Sequence, residues 1–136
     1  MKKGYLSIGY ANSLHLHAEI EAIRQILNGF QISLYVFVNK YQFPAHEEKQ
    51  MMQQAFADID ASDLIIAEVS EKAIGVGIEI GYAVARQKII VYLRSVHAEH
   101  STTTAGSADY SILYENIREL SEKLILVITA ISHKAT

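Results

Sequence analysis

Hydrophobic positions along the chain fall into short runs separated by longer amphipathic stretches. Tyr5, Leu6 and Ile8 mark a first strand between Gly4 and Gly9. Gln31 to Val38, rich in β-branched and aromatic residues, reads as a second. Asp63–Val69 and Ile89–Leu93 are apolar at successive rather than alternate positions, as in strands buried on both faces. Tyr110–Leu113 supplies a short last strand. Between these runs apolar residues recur at helical spacing. Leu16, Ile20, Ile23, Ile26 and Leu27 form one face of a helix that Asn12 or Ser13 can cap and that stops near Asn28-Gly29. Met51, Ala55 and Ile59 mark the inner face of a helix over His46–Ala61. Ile80, Ala83 and Val84 mark a helix ending at Lys88, and Ile117, Leu120, Leu124, Val127, Ile128 and Ile131 a last one starting at Tyr114 or Glu115. Asn39–Ala45, which holds the single proline, Pro44, and the polar Arg94–Ala108 are loops, the second of them expected to be mobile.

Strands thus alternate with helices from end to end. That pattern predicts an α/β fold: a doubly wound, five-stranded parallel sheet of flavodoxin-like or Rossmann-like order 2-1-3-4-5. With 136 residues, half of them apolar, residues 1–136 are expected to form a single domain with a proper core. The net charge of -3 gives no reason to expect a nucleic-acid partner. The absence of cysteine removes thiol chemistry. Met1-Lys2-Lys3-Gly4 lacks the apolar run of a signal peptide, and no stretch is long enough to span a bilayer, so a soluble, cytoplasmic protein without membrane partners is expected. No metal site is expected. His15 and His17 are two apart on a helix and point to different faces, and His97 and His100 lie in the long loop with no carboxylate in a ligating pattern.

In open α/β sheets ligands bind at the C-terminal ends of the strands. Two turns stand there. After the third strand, Glu68 and Ser70 are followed by Gly75 and Gly77, read as a glycine-rich loop, and by Glu79, read as a carboxylate in the first turn of an otherwise apolar helix. Free N–H groups at a helix start favour an ionised carboxylate, which can attack an electrophilic carbon as in glycosidic cleavage; equally, Glu79 can simply complement the helix dipole. The glycines can let backbone approach a sugar or phosphate, or merely form a tight turn. Ser70 can bond a sugar hydroxyl or satisfy loop backbone. The first βα turn contributes Ser7, Gly9, Tyr10, Asn12 and Ser13: Tyr10 can stack on a base or be a half-buried loop aromatic, and Asn12 and Ser13 can hold an anion or cap the helix. The turn has no Arg or Lys, a poor signal for phosphate. Asp63 reads as a residue of the helix-to-strand turn.

Asp63-Leu-Ile-Ile-Ala-Glu-Val-Ser70, followed by Gly75-Val-Gly-Ile-Glu-Ile-Gly81 and Ala83, resembles the nucleoside 2-deoxyribosyltransferase superfamily, nearest its 2′-deoxynucleoside 5′-phosphate N-hydrolase branch. The resemblance is strong from Asp63 to Leu93, extends over Tyr5–Ala61 and fades after Arg94. It implies that the glutamate matching Glu79 attacks C1′ of a deoxyribose and expels the base, with water or a second base completing the reaction. It implies a nucleoside or nucleotide substrate, no cofactor, and a homodimer or higher homo-oligomer in which Ser101–Ser107 can serve a neighbour's pocket. The family's second carboxylate, an aspartate that helps protonate the base, has no match: Ala55 stands at its position, and Asp58, three residues on, is the candidate substitute. The arginine of the hydrolase branch's first loop is also missing. An N-glycosidic enzyme and a catalytically weakened nucleotide-binding or sensing module both fit; a receiver-like signalling domain is disfavoured, because the first strand does not end in an acidic pair.

Overall fold

The computed structural model describes residues 1–37 and 43–135. Strand β1 (Lys3–Ile8) leads into two helices, α1 (Tyr10–His15) and α2 (His17–Gly29), and then β2 (Ser33–Val36). A 3-10 turn at Ala45–Glu47 opens helix α3 (Glu48–Asp60), followed by β3 (Leu64–Glu68), α4 (Ile74–Ala85), β4 (Ile89–Ser95), the short α5 (Thr102–Gly106), β5 (Tyr110–Tyr114) and α6 (Ile117–Ala135). The strands form one five-stranded sheet of order β2-β1-β3-β4-β5, parallel at every pairing. Val38, in the expected second strand, and residues 39–42, in the expected Asn39–Ala45 loop, lie outside the described residues.

The pleat divides the core in two. Leu6, Ile8, Leu64, Ile66, Val91 and Leu93 face Ile20, Ile23 and Leu27 of α2 and Leu120, Leu124 and Ile128 of α6. Tyr5, Ile65, Ala67, Ile90 and Tyr92 face Ala55 and Ile59 of α3 and Val76, Ile80 and Ala83 of α4. Ser7 shares the second face, two residues beyond Tyr5, and pairs in register with Ala67. Asp63 ties the start of β1 to β3 by accepting the amides of Lys2 and Lys3 at 2.8 and 3.2 Å.

Four local expectations change. The first helix is two helices meeting at Leu16, and the chain enters it at Gly9, so neither Asn12 nor Ser13 is its cap. Ser13 is buried, and its hydroxyl donates to the Tyr10 carbonyl. Gly75 and Gly77 do not form a loop: α4 starts at Ile74 and both lie inside its first turns with negative φ. The stretch 94–108 is folded, because β4 runs on to Ser95, Arg94 donates to the carbonyls of Ser95 and Ala98, and α5 follows.

Helices α2 and α4 end alike. The Ile32 amide donates to the Leu27 carbonyl and Gln31 to Asn28; Lys88 donates to Ala83 and Gln87 to Val84. These are paired C-terminal closures with Gln31 (φ 63) and Gln87 (φ 59) in the left-handed region.

Candidate active site

Glu79 is the sixth residue of α4, past the first turn. The backbone N–H groups around it are therefore spent on helix bonds, and the expected stabilisation of its ionised form by a helix start is absent. Its setting is instead the sheet surface below. The Ser7 hydroxyl donates to Glu79 Oε1 at 2.6 Å, and the buried phenol of Tyr5 acts on the same carboxylate. Burial raises the Glu79 pKa above the ordinary carboxylate value, and the Ser7 and Tyr5 hydroxyls pull it partly back. Two hydroxyls from alternate positions of one strand thus hold a carboxylate that its helix would otherwise leave in apolar surroundings.

The glycines act through what they lack. A Cβ built on Gly75 or Gly77 would meet nothing within 4 Å, so the first turns of α4 present bare backbone to open space. Beside them lies a cleft of about 470 Å³, lined by Val69, Glu71, Lys72, Ala73, Ile74, Val76 and Gly77 and, opposite, by His100 and Ser101–Thr104. Lys72 and Glu99, 2.6 Å apart and both exposed, bridge the two sides. The Ser101 amide donates to the Tyr92 phenol at 3.4 Å. Glu79 does not line this cleft but sits one turn further along α4 from Val76.

Gly9 and Asn12 meet a residue the sequence did not single out. The Asn12 amide donates to Glu71 Oε1 at 3.0 Å, and a Cβ on Gly9 would fall 2.1 Å from that oxygen. Tyr10 is 68% exposed at the head of α1. Ser70 is engaged on both sides: its hydroxyl donates to Glu68 Oε2 at 2.8 Å and accepts the Ser95 amide at 2.9 Å. Glu68, buried, also accepts the Ser70 amide at 2.8 Å and the Tyr114 phenol at 2.6 Å.

Asp58 lies near the end of α3. Its neighbours on α3, Phe56 and Asp60, meet the second half of α4: Phe56 stacks on Tyr82, and Asp60 accepts from Tyr82 and Arg86. Tyr82 and Arg86, the residue that caps α4, lie three and seven positions beyond Glu79, a stagger of roughly 5–10 Å at 1.5 Å per residue. Asp58 itself accepts the Gln54 side-chain amide at 3.1 Å. Ala55, fully buried against α4, offers no acid either. Tyr5 and Glu71 are the site residues that sequence reasoning missed. The signal for Tyr5 was its phenol two residues before Ser7 on one strand face; Glu71 had none, because its contacts lie about sixty residues away in the chain. Among the described residues no group of three or more His, Asp or Glu is placed to hold a metal ion, and no helix is long and apolar enough to cross a membrane.

Residues 6–124 match the family model of nucleoside 2-deoxyribosyltransferases. The chain belongs to that family. Two curated relatives align over part of the chain: a 5-hydroxymethyl-dUMP N-hydrolase from Branchiostoma floridae, 40% identical over 53 residues (39% of this chain, 50% of the relative), and a protein from Syntrophotalea carbinolica described as a putative 2′-deoxynucleoside 5′-phosphate N-hydrolase 1, 45% identical over 65 residues (46% of each). The chain thus spans about half the length of the curated relatives it matches. Among solved structures, a CMP N-glycosidase of Clostridium botulinum superposes with a TM-score of 0.69 at 23% identity, covering 92% of this chain and 99% of the other. A 2-deoxyribosyltransferase of Bacillus psychrosaccharolyticus superposes with a TM-score of 0.67 at 13% identity, covering 88% and 90%. At these identities the superpositions establish a shared fold.

Proposed function

We propose that this member of the nucleoside 2-deoxyribosyltransferase family cleaves the N-glycosidic bond of a (deoxy)nucleoside or its monophosphate with Glu79 as nucleophile. The observation that carries the reading is the Glu79 carboxylate, held by Ser7 and Tyr5 one helical turn from the bare backbone of Gly75. The names of its relatives, N-hydrolases and a glycosidase, support the same bond.

In this reading a Glu79 oxygen forms a bond to C1′ as the C1′–N bond breaks, and the bonding pair leaves with the base, which gains a proton. Water then attacks the glycosyl ester, releasing free sugar and regenerating the carboxylate; a second base in place of water gives exchange. Ser7 and Tyr5 orient the carboxylate, and the Ser7 hydrogen bond must loosen as its charge passes into the new bond. Tyr10, exposed at the first βα turn, is the aromatic available to the base. The lower position of Asp58 on α3 does not support it as the proton donor.

The test is a trapped covalent sugar: with a slow substrate, the tryptic peptide carrying Glu79 gains the mass of the deoxyribosyl group. An unmodified peptide alongside full turnover would overturn the mechanism. A second reading, a binding or sensing module with weakened catalysis, is favoured by one observation, the buried Ala55 where the family carries its acid. Ligand binding without base release selects it.

The reading includes a homo-oligomer. The outer face of α4 exposes Ile74 (86%), Ile78 and Val84 beside Gly81 and Ala85, an apolar helix surface that a second copy would bury. Ser101–Thr104 line their own chain's cleft, and Ser101–Ser107 can serve a neighbour's pocket in such an assembly. A monomer by light scattering at micromolar concentration rules the assembly out.

A further inference from the structure

The family resemblance leaves the group at the 5′ position open: some relatives are named for nucleotides, others for nucleoside transfer. In a doubly wound sheet a phosphate is met by the first βα turn, where amides at a helix start face the ligand. Here that position is taken. The carboxylate of Glu71, reaching over from the β3–α4 connection, accepts the Asn12 amide at the head of α1 at 3.0 Å. It lies so close to Gly9 that a Cβ there would fall 2.1 Å from Oε1 and 3.2 Å from the Ala73 Cβ. Gly9 is therefore the residue that lets a negative charge of the protein itself sit where a ligand's anion would go. The stretch Ser7–Ser13 has neither Lys nor Arg, and among the described residues Lys72, the neighbour of Glu71, pairs with Glu99 at 2.6 Å. Glu71 also lines the cleft beside Gly77, so the same side chain borders both the first turn and the space available to a ligand.

We infer that Glu71 is a specificity-determining residue that selects a nucleoside with a free 5′-hydroxyl over its 5′-monophosphate, an assignment that rests on the glycosidic reading of the Glu79 site. A carboxylate accepts a hydroxyl's hydrogen bond and repels a phosphate dianion. A monophosphate has to displace Glu71 from the Asn12 amide and still meet its charge nearby.

The experiment is calorimetry with Glu79→Gln protein, which holds ligand without turning it over, against the four common 2′-deoxynucleosides and their 5′-monophosphates. The nucleosides that bind should do so at least about tenfold more tightly than their monophosphates, a difference of about 1.4 kcal/mol. Adding Glu71→Gln should bring that ratio towards one, with the gain in monophosphate affinity larger at low salt. The glutamine carbonyl can still accept the Asn12 amide, so the turn keeps its shape. Monophosphates bound as tightly as nucleosides, a ratio indifferent to Glu71→Gln, or no binding of either class would each overturn the assignment. Base release by the wild-type chain is measured in parallel. Nucleoside preference without release sinks the glycosidic reaction and leaves Glu71 its role; release with monophosphates preferred does the reverse.

Discussion

Two glutamates, Glu68 and Glu79, lie buried or half-buried on opposite faces of one sheet near the same strand ends, and burial raises the pKa of both. Their partners differ. Glu68 accepts from the Ser70 amide, the Ser70 hydroxyl and the Tyr114 phenol, and through Ser70 it reaches the Ser95 amide, so it laces together the ends of β3, β4 and β5. Glu79 is met by the hydroxyls of Ser7 and Tyr5 and lies beside a helix surface stripped of side chains. The same side chain withdrawn from water becomes a rivet where donors surround it, and a candidate reagent where they come from one side. Desolvation alone does not mark a catalytic group; the distribution of donors around it does.

The sharpest way to break the comparison is to remove each carboxylate. Glu79→Gln should lower kcat for base release by about 10³-fold or more while nucleoside binding persists, and, because the amide oxygen still accepts from Ser7, should change unfolding free energy by no more than about 1 kcal/mol. Single-turnover base release and urea denaturation read the two quantities. Full activity in this variant refutes the nucleophile. Glu68→Ala should do the opposite in stability: it leaves the Tyr114 phenol and the Ser70 groups without their acceptor in the interior, at a cost of about 2–4 kcal/mol. A urea midpoint unchanged from wild type would show that the rivet carries nothing.

A finer test uses pH. Glu79 must be ionised to attack, and its pKa lies above the ordinary 4.5, so kcat/KM should fall as pH is lowered through a value above 4.5. Ser7→Ala removes a hydrogen bond that favours the charged form, which moves this acidic limb to higher pH; a limb that stays put separates Ser7 from Glu79. For stability the sign is reversed from that of a paired carboxylate. A raised folded pKa contributes stability that is full below the unfolded value and is lost as pH rises through the folded one. Asp63, whose pKa the Lys2 and Lys3 amides lower, contributes above its unfolded value and loses that contribution as pH falls.

The smallest expected effect concerns Gly77. A methyl there meets no neighbour, so Gly77→Ala should raise stability by roughly 0.5–1 kcal/mol through helix propensity. If the bare turn receives the sugar, the same variant should weaken nucleoside binding measurably. Unchanged affinity would show that the glycine surface is not where ligand rests.

The sheet was legible because its strands are written as unbroken apolar runs, and Ile65–Val69 beside Ile90–Leu93 leaves little choice but a buried parallel pair. The start of α4 was not. Glycine is a breaker signal, and Ala73 begins the helix without a side-chain cap to announce it, so Gly75 and Gly77 read as loop. That error moved Glu79 into a first turn and gave it the wrong electrostatics. The break at Leu16 was equally hidden, since no proline or glycine stands there. The level of Asp58 along its helix was hidden for a different reason. Spacing along one helix says which residues share a face, not which level of the neighbouring helix they meet, and that level is set by the Phe56–Tyr82 stack. The Glu71–Gly9 contact joins two loops and has no local pattern at all.

The closures at Gln31 and Gln87 give the chain something it has not used. Both hold a glutamine in a left-handed backbone that glycine adopts freely, and both lie where a helix turns into the start of β2 or β4, at the pole of the sheet opposite the strand ends that carry Glu79. Gln31→Gly and Gln87→Gly should each add up to about 1 kcal/mol of thermal margin, read as a higher Tm. Because that margin is gained at the far pole, it can absorb destabilising changes around Ser7, Glu71 and Glu79. Substrate scope in this fold can therefore be re-engineered at one end while its heat resistance is tuned at the other.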